Sequence, residues 1–345
     1  MRRRGHDVRV AAPRKAPIFD EAERFSVPVI ALPIGRKTPA GVVALRRVLA
    51  SERVDVVNSH SSTDSWLAAL ACRAFWLGKR RPPALVRTRH ISARIPTGAA
   101  TRWLYARATA EIVTTGEAIR QQLIRAAGVS PARVTSIPTG IDLEHFVPGD
   151  KSAARRALHL REDAPLIGIV ATLRSWKGHR FLVEAMTLLA HREARLVIVG
   201  DGPQKNALEA QVRDLRLRAR VSLVGNRQDV APWLRAFDVF ALPSYANEGV
   251  PQALLQAMAV GVPCVTTAAG AIGEIAIHDT TALVVAGQNA VALAAGIDRL
   301  LGDAALASRL AWSARERTQS KFGIDAMLDG MDAVFRRAAH GNRYR

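Results

Sequence analysis

The sequence predicts an α/β fold with two doubly wound, parallel-sheet domains, and three observations lead to this prediction. The chain has 345 residues, which is enough for about two domains that each bury a core. Short apolar runs alternate with helical patterns along most of the chain, as repeated βα units do. A segment rich in proline and glycine, residues 138–149, separates two such series.

In the first series, β-branched runs predict the strands, and the apolar patterns between them predict the helices. Strands are predicted at residues 54–58, 84–88, 111–114 and 134–137. One helix is predicted after Ser61, reaching to about Leu77, and a second over 116–127, where Gly128 ends it.

The second series repeats the pattern more cleanly. Strands are predicted at residues 166–170, 196–199, 221–224, 239–242, 262–266 and 282–285. The run 166–170 is apolar throughout, as expected for a strand covered on both faces. We therefore predict domains at 1–148 and 149–320. In the remaining residues, 321–345, a helical apolar stripe predicts a C-terminal helix that crosses back to the first domain.

The charge of the chain is unusual, with 49 Lys and Arg against 30 Asp and Glu, a net charge of +19. Such a surface attracts anionic membranes or phosphorylated ligands, although a GC-rich genome, which favours Arg over Lys, is the alternative explanation of the Arg clusters. Charge is the only feature of the sequence that supports nucleic-acid binding, so a nucleic-acid partner is not expected. Cys72 and Cys264 lie in apolar stretches and are expected to be buried thiols. Neither a signal peptide nor a spanning apolar run is visible, which favours a cytoplasmic location, with peripheral contact to the inner membrane face.

Polar loops that follow the strands of the second series carry the candidate chemistry, because ligands of such sheets bind at the carboxyl ends of strands. Arg174 and Lys177 lie between a strand and a helix, a pattern that favours diphosphate binding. Gly202 allows a tight turn or close approach to a ligand. The alternative is that these residues are solvated loop positions.

A further loop places Glu248 just before a helix that Pro251 can start. The backbone N–H groups of Gly249 and Val250 would then be available at the positive end of that helix. A carboxylate beside such donors could hold sugar hydroxyls while the N–H groups hold phosphate. The alternative is that Glu248 only caps the helix.

Together these loops resemble the donor domain of the glycosyltransferases of family 4, which have the GT-B architecture of two Rossmann-like domains facing a cleft. The most specific stretch runs from Pro243 to Thr266, where Glu248-Gly249-Val250-Pro251 leads into a helix and then into Gly261-Val262-Pro263. The resemblance implies that Glu248 binds the donor sugar and the backbone after it, at Gly249, Val250 and Pro251, binds phosphate. The family's second glutamate corresponds to Gln256, a departure that removes its charge. Lys177 matches the family's lysine. The usual arginine position is Thr172, so Arg174 is expected to replace that arginine.

The resemblance implies that the first domain is the acceptor domain. In the family, a histidine in the cleft between the domains contacts the donor sugar or phosphate. His60 is the first candidate for this histidine and is expected to be catalytic together with Glu248. His90 is the second candidate. The alternative is that both are surface histidines. Family members open with a strand and a glycine-rich loop before Arg-Gly-His-x-Val. Here Arg4-Gly5-His6-Asp7-Val8 stands at the start, so the first domain is expected to lack its first strand.

The implied activity is that of a retaining hexosyltransferase of the lipopolysaccharide or surface-polysaccharide type. It would use a UDP- or GDP-linked sugar as co-substrate, with no cofactor, and a glycan or lipid-linked hydroxyl as acceptor. The sequence contains no Asp-x-Asp motif, so no metal is expected. Two alternatives stay open: an inactive or truncated sugar-nucleotide-binding remnant, and a sugar-nucleotide epimerase of the same architecture.

Overall fold

The computed structural model describes residues 1–74 and 82–341, and its backbone forms two compact units. The first unit contains Met1–His90, Arg94–Ile137 and the chain from Leu328 onward, and the second contains Ile91–Ala93 and Pro138–Met327. The division falls at Ile137 rather than at residue 148. Residues after Pro138 are held within the second unit, where the Ile141 N–H donates to the Phe322 carbonyl over 2.8 Å.

The first unit contains six parallel strands in two sheets. The strands are β1 (Val10–Ala12), β2 (Val29–Ala31), β3 (Val56–Ser59), β4 (Ala84–Arg89), β5 (Glu111–Thr114) and β6 (Val134–Ser136). β1 pairs with β2, and the other four pair in the order β3-β4-β5-β6. The helices are α1 (Pro17–Arg24), α2 (Pro39–Ser51), α3 (Ser62–Arg73), α4 (Ala99–Trp103) and α5 (Glu117–Ala127).

The predicted strands of the first series are confirmed within two residues at each end, but nothing was predicted between residues 10 and 51. There β1 and β2 are only three residues long, too short for a period of two to be recognised. The helix predicted to reach about Leu77 is described to Arg73, and residues 75–77 lie outside the described residues. It begins at a capping box in which the Ser61 hydroxyl and the Asp64 carboxylate each accept a backbone N–H.

The second unit contains a six-stranded parallel sheet in the order β12-β11-β10-β7-β8-β9. The strands are β7 (Leu166–Val170), β8 (Arg195–Val199), β9 (Val221–Gly225), β10 (Val239–Leu242), β11 (Cys264–Thr266) and β12 (Leu283–Val284). The helices are α6 (Lys151–Ala157), α7 (His179–Leu188), α8 (Lys205–Asp214), α9 (Ala231–Ala236), α10 (Gln252–Val260), α11 (Ala290–Gly302) and α12 (Ala304–Lys321), and α13 (Ile324–His340) begins in this unit.

All six strands predicted for the second series are present, and helices cover both faces of this sheet. β10 is buried along its whole length, which explains its unbroken apolar sequence. β11 starts two residues later than predicted, because the Val262 N–H donates to the Ala257 carbonyl and completes the turn that ends α10. Cys72 and Cys264 are both buried free thiols, as expected.

The C-terminal helix α13 contributes its later turns to the first unit. Arg337 donates to the Thr135 hydroxyl over 3.0 Å and lies 3.4 Å from a Glu111 carboxylate oxygen. The His6 ring nitrogen Nε2 lies 2.8 Å from an Asp332 oxygen. Val334 and Ala338 are the buried positions of this helix.

Candidate functional site

The strand order of the second unit determines where polar loops meet. β7 and β10 are neighbours in the sheet although two βα units separate them in sequence, so their helices cover opposite faces. The loops 171–178 and 243–251 therefore leave the sheet side by side at the point where the strand order reverses. In doubly wound sheets this switch point forms the crevice in which ligands bind.

Backbone contacts fasten these two loops to each other. The Tyr245 N–H donates to the Trp176 carbonyl over 2.8 Å. Gly178 has a φ of +76°, and a β-carbon at this position would lie 2.1 Å from the Pro243 carbonyl oxygen. Only glycine permits this close crossing, which places Lys177 against the second loop.

The crossing brings together two residues that the sequence singled out. The Lys177 ammonium nitrogen lies 2.6 Å from Oε1 of Glu248, and the Glu248 side chain is only 5% exposed. A carboxylate this deeply buried needs a charged or hydrogen-bonding partner, and Lys177 supplies it. The Lys177 side chain is 20% exposed, so it is less deeply buried than its partner.

The N-terminus of α10 lies directly beyond this ion pair. Gly249, Val250 and Pro251 are buried, and Pro251 stands at the N-cap without any side-chain hydrogen bond to the helix. The first N–H groups of an α-helix have no partner within the helix, and its dipole favours negative charge there. Gln256 lies further along α10 and is half-buried.

The structure also shows a brace that sequence reasoning missed, in the loop after β11. Gly270 has a φ of +58°, and a β-carbon there would lie 2.1 Å from the Glu248 carbonyl oxygen. The Ala271 N–H donates to that same oxygen over 3.4 Å, and the Thr267 hydroxyl donates to the Ser244 carbonyl. A glycine just after a buried strand was the available signal. The brace holds the main chain that carries Glu248.

Arg174 and Gly202 occupy different surroundings from the ion pair. The Arg174 guanidinium lies over the Trp176 ring, 5.7 Å from its centre, and makes no ion pair within residues 1–74 and 82–341. Gly202 has a φ of +155°, and a β-carbon there would lie 2.8 Å from the Leu173 carbonyl oxygen. The close contact between these two loops therefore requires glycine at position 202, whether or not a ligand binds there.

The two candidate histidines lie together in the first unit. His60 follows β3 and His90 follows β4, and these strands are adjacent, with Ser59 opposite Arg87. Nδ1 of His60 lies 2.9 Å from Nε2 of His90, and the two nearly parallel rings have centres 5.2 Å apart. Both residues keep an exposed edge, but packing removes water from the rings and lowers the pKa of His60 and of His90.

None of the helices within residues 1–74 and 82–341 combines the length and apolar character that a bilayer crossing needs. In the same part of the chain, no three His, Cys, Asp or Glu side chains are grouped as metal ligands would be.

Comparison with known protein families identifies both halves of the chain. Residues 1–145 match Glycosyltransferase Family 4, and residues 164–303 match Glycosyl transferases group 1. A D-inositol 3-phosphate glycosyltransferase from Xylanimonas cellulosilytica is 31% identical over 321 residues, which cover 84% of this chain and 74% of the relative. A UDP-Gal:alpha-D-GlcNAc-diphosphoundecaprenol alpha-1,3-galactosyltransferase from Escherichia coli is 29% identical over 264 residues, covering 72% and 67%.

Solved structures share the fold. A glycosyltransferase from Rickettsia africae superposes with a TM-score of 0.85 at 20% identity, covering 99% of this chain and 92% of that one. HepE from Anabaena, solved with UDP-glucose, gives a TM-score of 0.82 at 19% identity, covering 95% and 91%. The parallel α/β units are those of GT-B enzymes, and the chain belongs to glycosyltransferase family 4.

Proposed function

We propose that the protein transfers a hexose-type sugar from a nucleotide diphosphate sugar to a hydroxyl acceptor, with retention of the anomeric configuration. The observation that carries this proposal is the Lys177–Glu248 ion pair at the switch point, beside the N-terminus of α10. A cation, a buried carboxylate and free helix N–H groups are what a diphosphate joined to a polyhydroxyl sugar would need.

Each residue of this site has a role in the proposal. Lys177 and Arg174 neutralise the departing diphosphate, and the backbone at Gly249, Val250 and Pro251 directs the N-terminus of α10 toward it. Glu248 accepts hydrogen bonds from sugar hydroxyls and stabilises positive charge that develops on the sugar ring. Gln256 holds the nucleotide through its amide, without charge, and Gly202 keeps its loop close to the loop that follows β7.

The donor is proposed to be a UDP- or GDP-linked sugar, with no other cofactor and no metal. The Anabaena structures with UDP and UDP-glucose support a uridine donor. The histidine pair His60 and His90 is proposed to complete the donor contacts from the first unit, and no metal-dependent step is needed for the roles assigned here.

The acceptor is proposed to be a glycan or lipid-linked hydroxyl used in surface-glycan or lipopolysaccharide synthesis. The Escherichia coli relative acts on a diphosphoundecaprenol-linked sugar, which supports a lipid-linked acceptor. The net charge of +19 favours contact with an anionic membrane surface. The protein would then work at the cytoplasmic face of the membrane.

A donor screen followed by product analysis tests the proposal. Thermal unfolding would be recorded with UDP- and GDP-linked hexoses, since a donor that binds only the folded state raises the Tm. The stabilising donor would then be incubated with and without lipid-linked acceptors. Transfer that keeps the anomeric configuration supports the proposal. An isomerised nucleotide sugar formed without acceptor, or binding without any product, would contradict it.

A further inference from the structure

Arg87, on β4, is a buried cation that the described part of the chain leaves without a hydrogen-bond acceptor. The residue is 7% exposed, and its Nη1 nitrogen is enclosed without a partner. Within residues 1–74 and 82–341 the guanidinium makes no hydrogen bond and no ion pair. The guanidinium carbon lies 4.1 Å from the centre of the Tyr105 ring. The N–H donors of this group therefore have no acceptor in that part of the fold.

The Asp64 carboxylate acts on the Arg87 charge from the start of α3, but its oxygens are already used there. They accept the backbone N–H groups of His60 and Ser61 over 3.0 and 2.7 Å, and the Ser61 hydroxyl over 3.0 Å. Asp64 therefore caps its own helix and leaves the guanidinium without a carboxylate in contact.

The neutral oxygens beside Arg87 also have other partners. The Tyr105 hydroxyl accepts from Arg89 over 3.3 Å. Ser59 lies opposite Arg87 in the neighbouring strand β3, and its hydroxyl lies 3.0 Å from the Ser65 hydroxyl. The first unit thus surrounds the guanidinium with polar groups that bond to one another and not to it.

Arg155 shows how this chain buries an arginine for structure alone. It is 5% exposed, and all three of its side-chain nitrogens donate hydrogen bonds. Nε donates to the Ala236 carbonyl, Nη2 to the Asp238 carboxylate, and Nη1 to two further backbone carbonyls. Arg87 is almost as deeply buried and has no such set of acceptors.

The burial of Arg87 has an energetic consequence. Arginine stays charged inside a protein, and a buried charge without a counter-charge destabilises the fold. The face of the Tyr105 ring offsets part of this cost. Burial is the largest influence on the pKa of Arg87 and lowers it, the Arg89 charge lowers it further, and Asp64 acts in the opposite direction. An anion bound to the guanidinium would supply the missing counter-charge.

The end of β4 provides the route by which an anion reaches this residue. Exposure increases along the chain from Arg87 through Arg89 to His90, so the nearest surface lies at the carboxyl end of the strand. Ligands of parallel sheets bind at this end of the strands.

We propose that Arg87 is the anion-binding residue of a site within the first unit, where its guanidinium donates to the oxygens of a phosphate group. Arginine holds phosphate through two parallel N–H groups, so the planar fork matches the oxyanion in shape as well as in charge. The phosphate is that of the acceptor, a phosphate-linked sugar, and this assignment of its source rests on the proposed function. The donor diphosphate remains with Lys177 in the second unit.

Binding of inorganic pyrophosphate to the full chain tests the site without substrates. Isothermal titration calorimetry at pH 7 and fixed ionic strength compares the wild type with Arg87→Met, which keeps an apolar stem and has no N–H donor. Affinity at the Arg87 site should fall at least about tenfold, as expected for a lost hydrogen bond from a charged group. Pyrophosphate that also binds near Lys177 does so in both proteins, so the difference between the titrations belongs to Arg87. Identical titrations would overturn the proposal.

Arg47→Met removes an exposed arginine of α2 and is the matched control for the general attraction of anions to a chain of net charge +19. It should titrate like the wild type. If Arg87→Met does not fold, Arg87→Lys replaces the planar fork by a single ammonium group and should bind pyrophosphate measurably more weakly. Wild-type affinity in that folded variant would also overturn the proposal.

Urea unfolding separates anion binding from a purely structural role. Without pyrophosphate, Arg87→Met should unfold at the same or a higher urea concentration than the wild type, because methionine removes the unpaired charge. Pyrophosphate should raise the unfolding midpoint of the wild type more than that of the variant. A variant that unfolds at clearly lower urea, and that pyrophosphate stabilises as much as the wild type, would show that Arg87 only packs on Tyr105.

Transfer assays test the source of the phosphate. With a phosphate-linked acceptor, Arg87→Met should raise the KM for the acceptor about tenfold and leave the KM for the donor unchanged. With the same acceptor sugar lacking phosphate, the two proteins should have equal KM values. A rise in the donor KM alone would overturn the assignment to the acceptor. Absence of transfer by the wild type would contradict the proposed function, whereas the titrations would still decide whether the anion site exists.

Discussion

The ammonium group of Lys177 lies 2.6 Å from the carboxylate of Glu248, and the two residues reach this contact from loops separated by more than two βα units. Each residue was singled out for a different part of a sugar nucleotide. Lys177 carries three N–H donors, so its bond to Glu248 leaves two for phosphate oxygens. The pair therefore joins the proposed diphosphate and sugar positions in a single charged unit.

Lys177→Ala should weaken donor binding at least tenfold, because a hydrogen bond from a charged group contributes about 1.5–3 kcal/mol. Isothermal titration calorimetry with the donor found in the screen measures this change. Arg218→Ala, which removes an exposed charge away from these loops, is the control and should bind normally. Lys177→Ala also leaves the buried Glu248 carboxylate unpaired, so urea unfolding must confirm that the variant is folded. Unchanged donor affinity in a folded variant would remove Lys177 from the diphosphate site.

Glu248→Gln should reduce kcat by roughly a hundredfold or more while donor affinity changes less. The amide keeps the size of the side chain and its hydrogen bonds to sugar hydroxyls, but it loses the charge that stabilises the transition state. Steady-state kinetics with saturating acceptor distinguish the two effects. Gln256→Glu, on the helix that follows the Glu248 loop, is the comparison and should keep its activity, since the family pattern has glutamate there. Near-normal turnover in Glu248→Gln would show that the carboxylate only supports the loop.

Gly178→Ala should unfold at a clearly lower urea concentration than Gly225→Ala. Both glycines have a φ of +76°, so both substitutions carry the same left-handed backbone strain, about 1–2 kcal/mol. A β-carbon at Gly225 meets nothing within 4 Å, whereas one at Gly178 collides with the Pro243 carbonyl. The additional loss in the free energy of unfolding of Gly178→Ala, about 1–3 kcal/mol, measures the cost of the clash where the two loops cross. Equal stability of the two variants would mean that this crossing is loose.

Replacing His179 should remove part of the acid sensitivity of the fold. Burial, with a smaller effect of the Lys177 charge, lowers the pKa of His179 to about 4. Between its ordinary value of 6.5 and 4, the unfolded chain binds the proton more readily than the folded chain. The folded state is therefore fully stable above pH 6.5 and loses up to about 3 kcal/mol from this residue as the pH falls toward 4.

His179→Leu isolates that contribution, because leucine cannot take up a proton. Neither ring nitrogen of His179 has a hydrogen-bond partner in the described part of the chain, so stability at pH 7 should be kept or increased. Urea unfolding of both proteins at pH 7 and pH 4.5 gives the difference. His159→Asn, at an exposed position with a left-handed backbone, serves as the control. A wild-type pH dependence in His179→Leu would contradict the assignment.

The sequence by itself determined the class of fold, the strands of both main sheets and the loops that carry Lys177 and Glu248. It could do so because buried parallel strands are unbroken apolar runs, and because glycine and proline punctuate the loops that follow them. It did not reveal β1 and β2, whose three-residue length leaves no period to detect.

Only the tertiary structure decided which of these residues meet. The Lys177–Glu248 contact requires the strand order that makes β7 and β10 neighbours, and the Gly270 brace requires β11 to lie beside β10. The His60–His90 contact likewise depends on the register between β3 and β4. Strand pairing joins residues that are far apart in sequence, and local patterns contain no information about that pairing beyond the number and type of the elements.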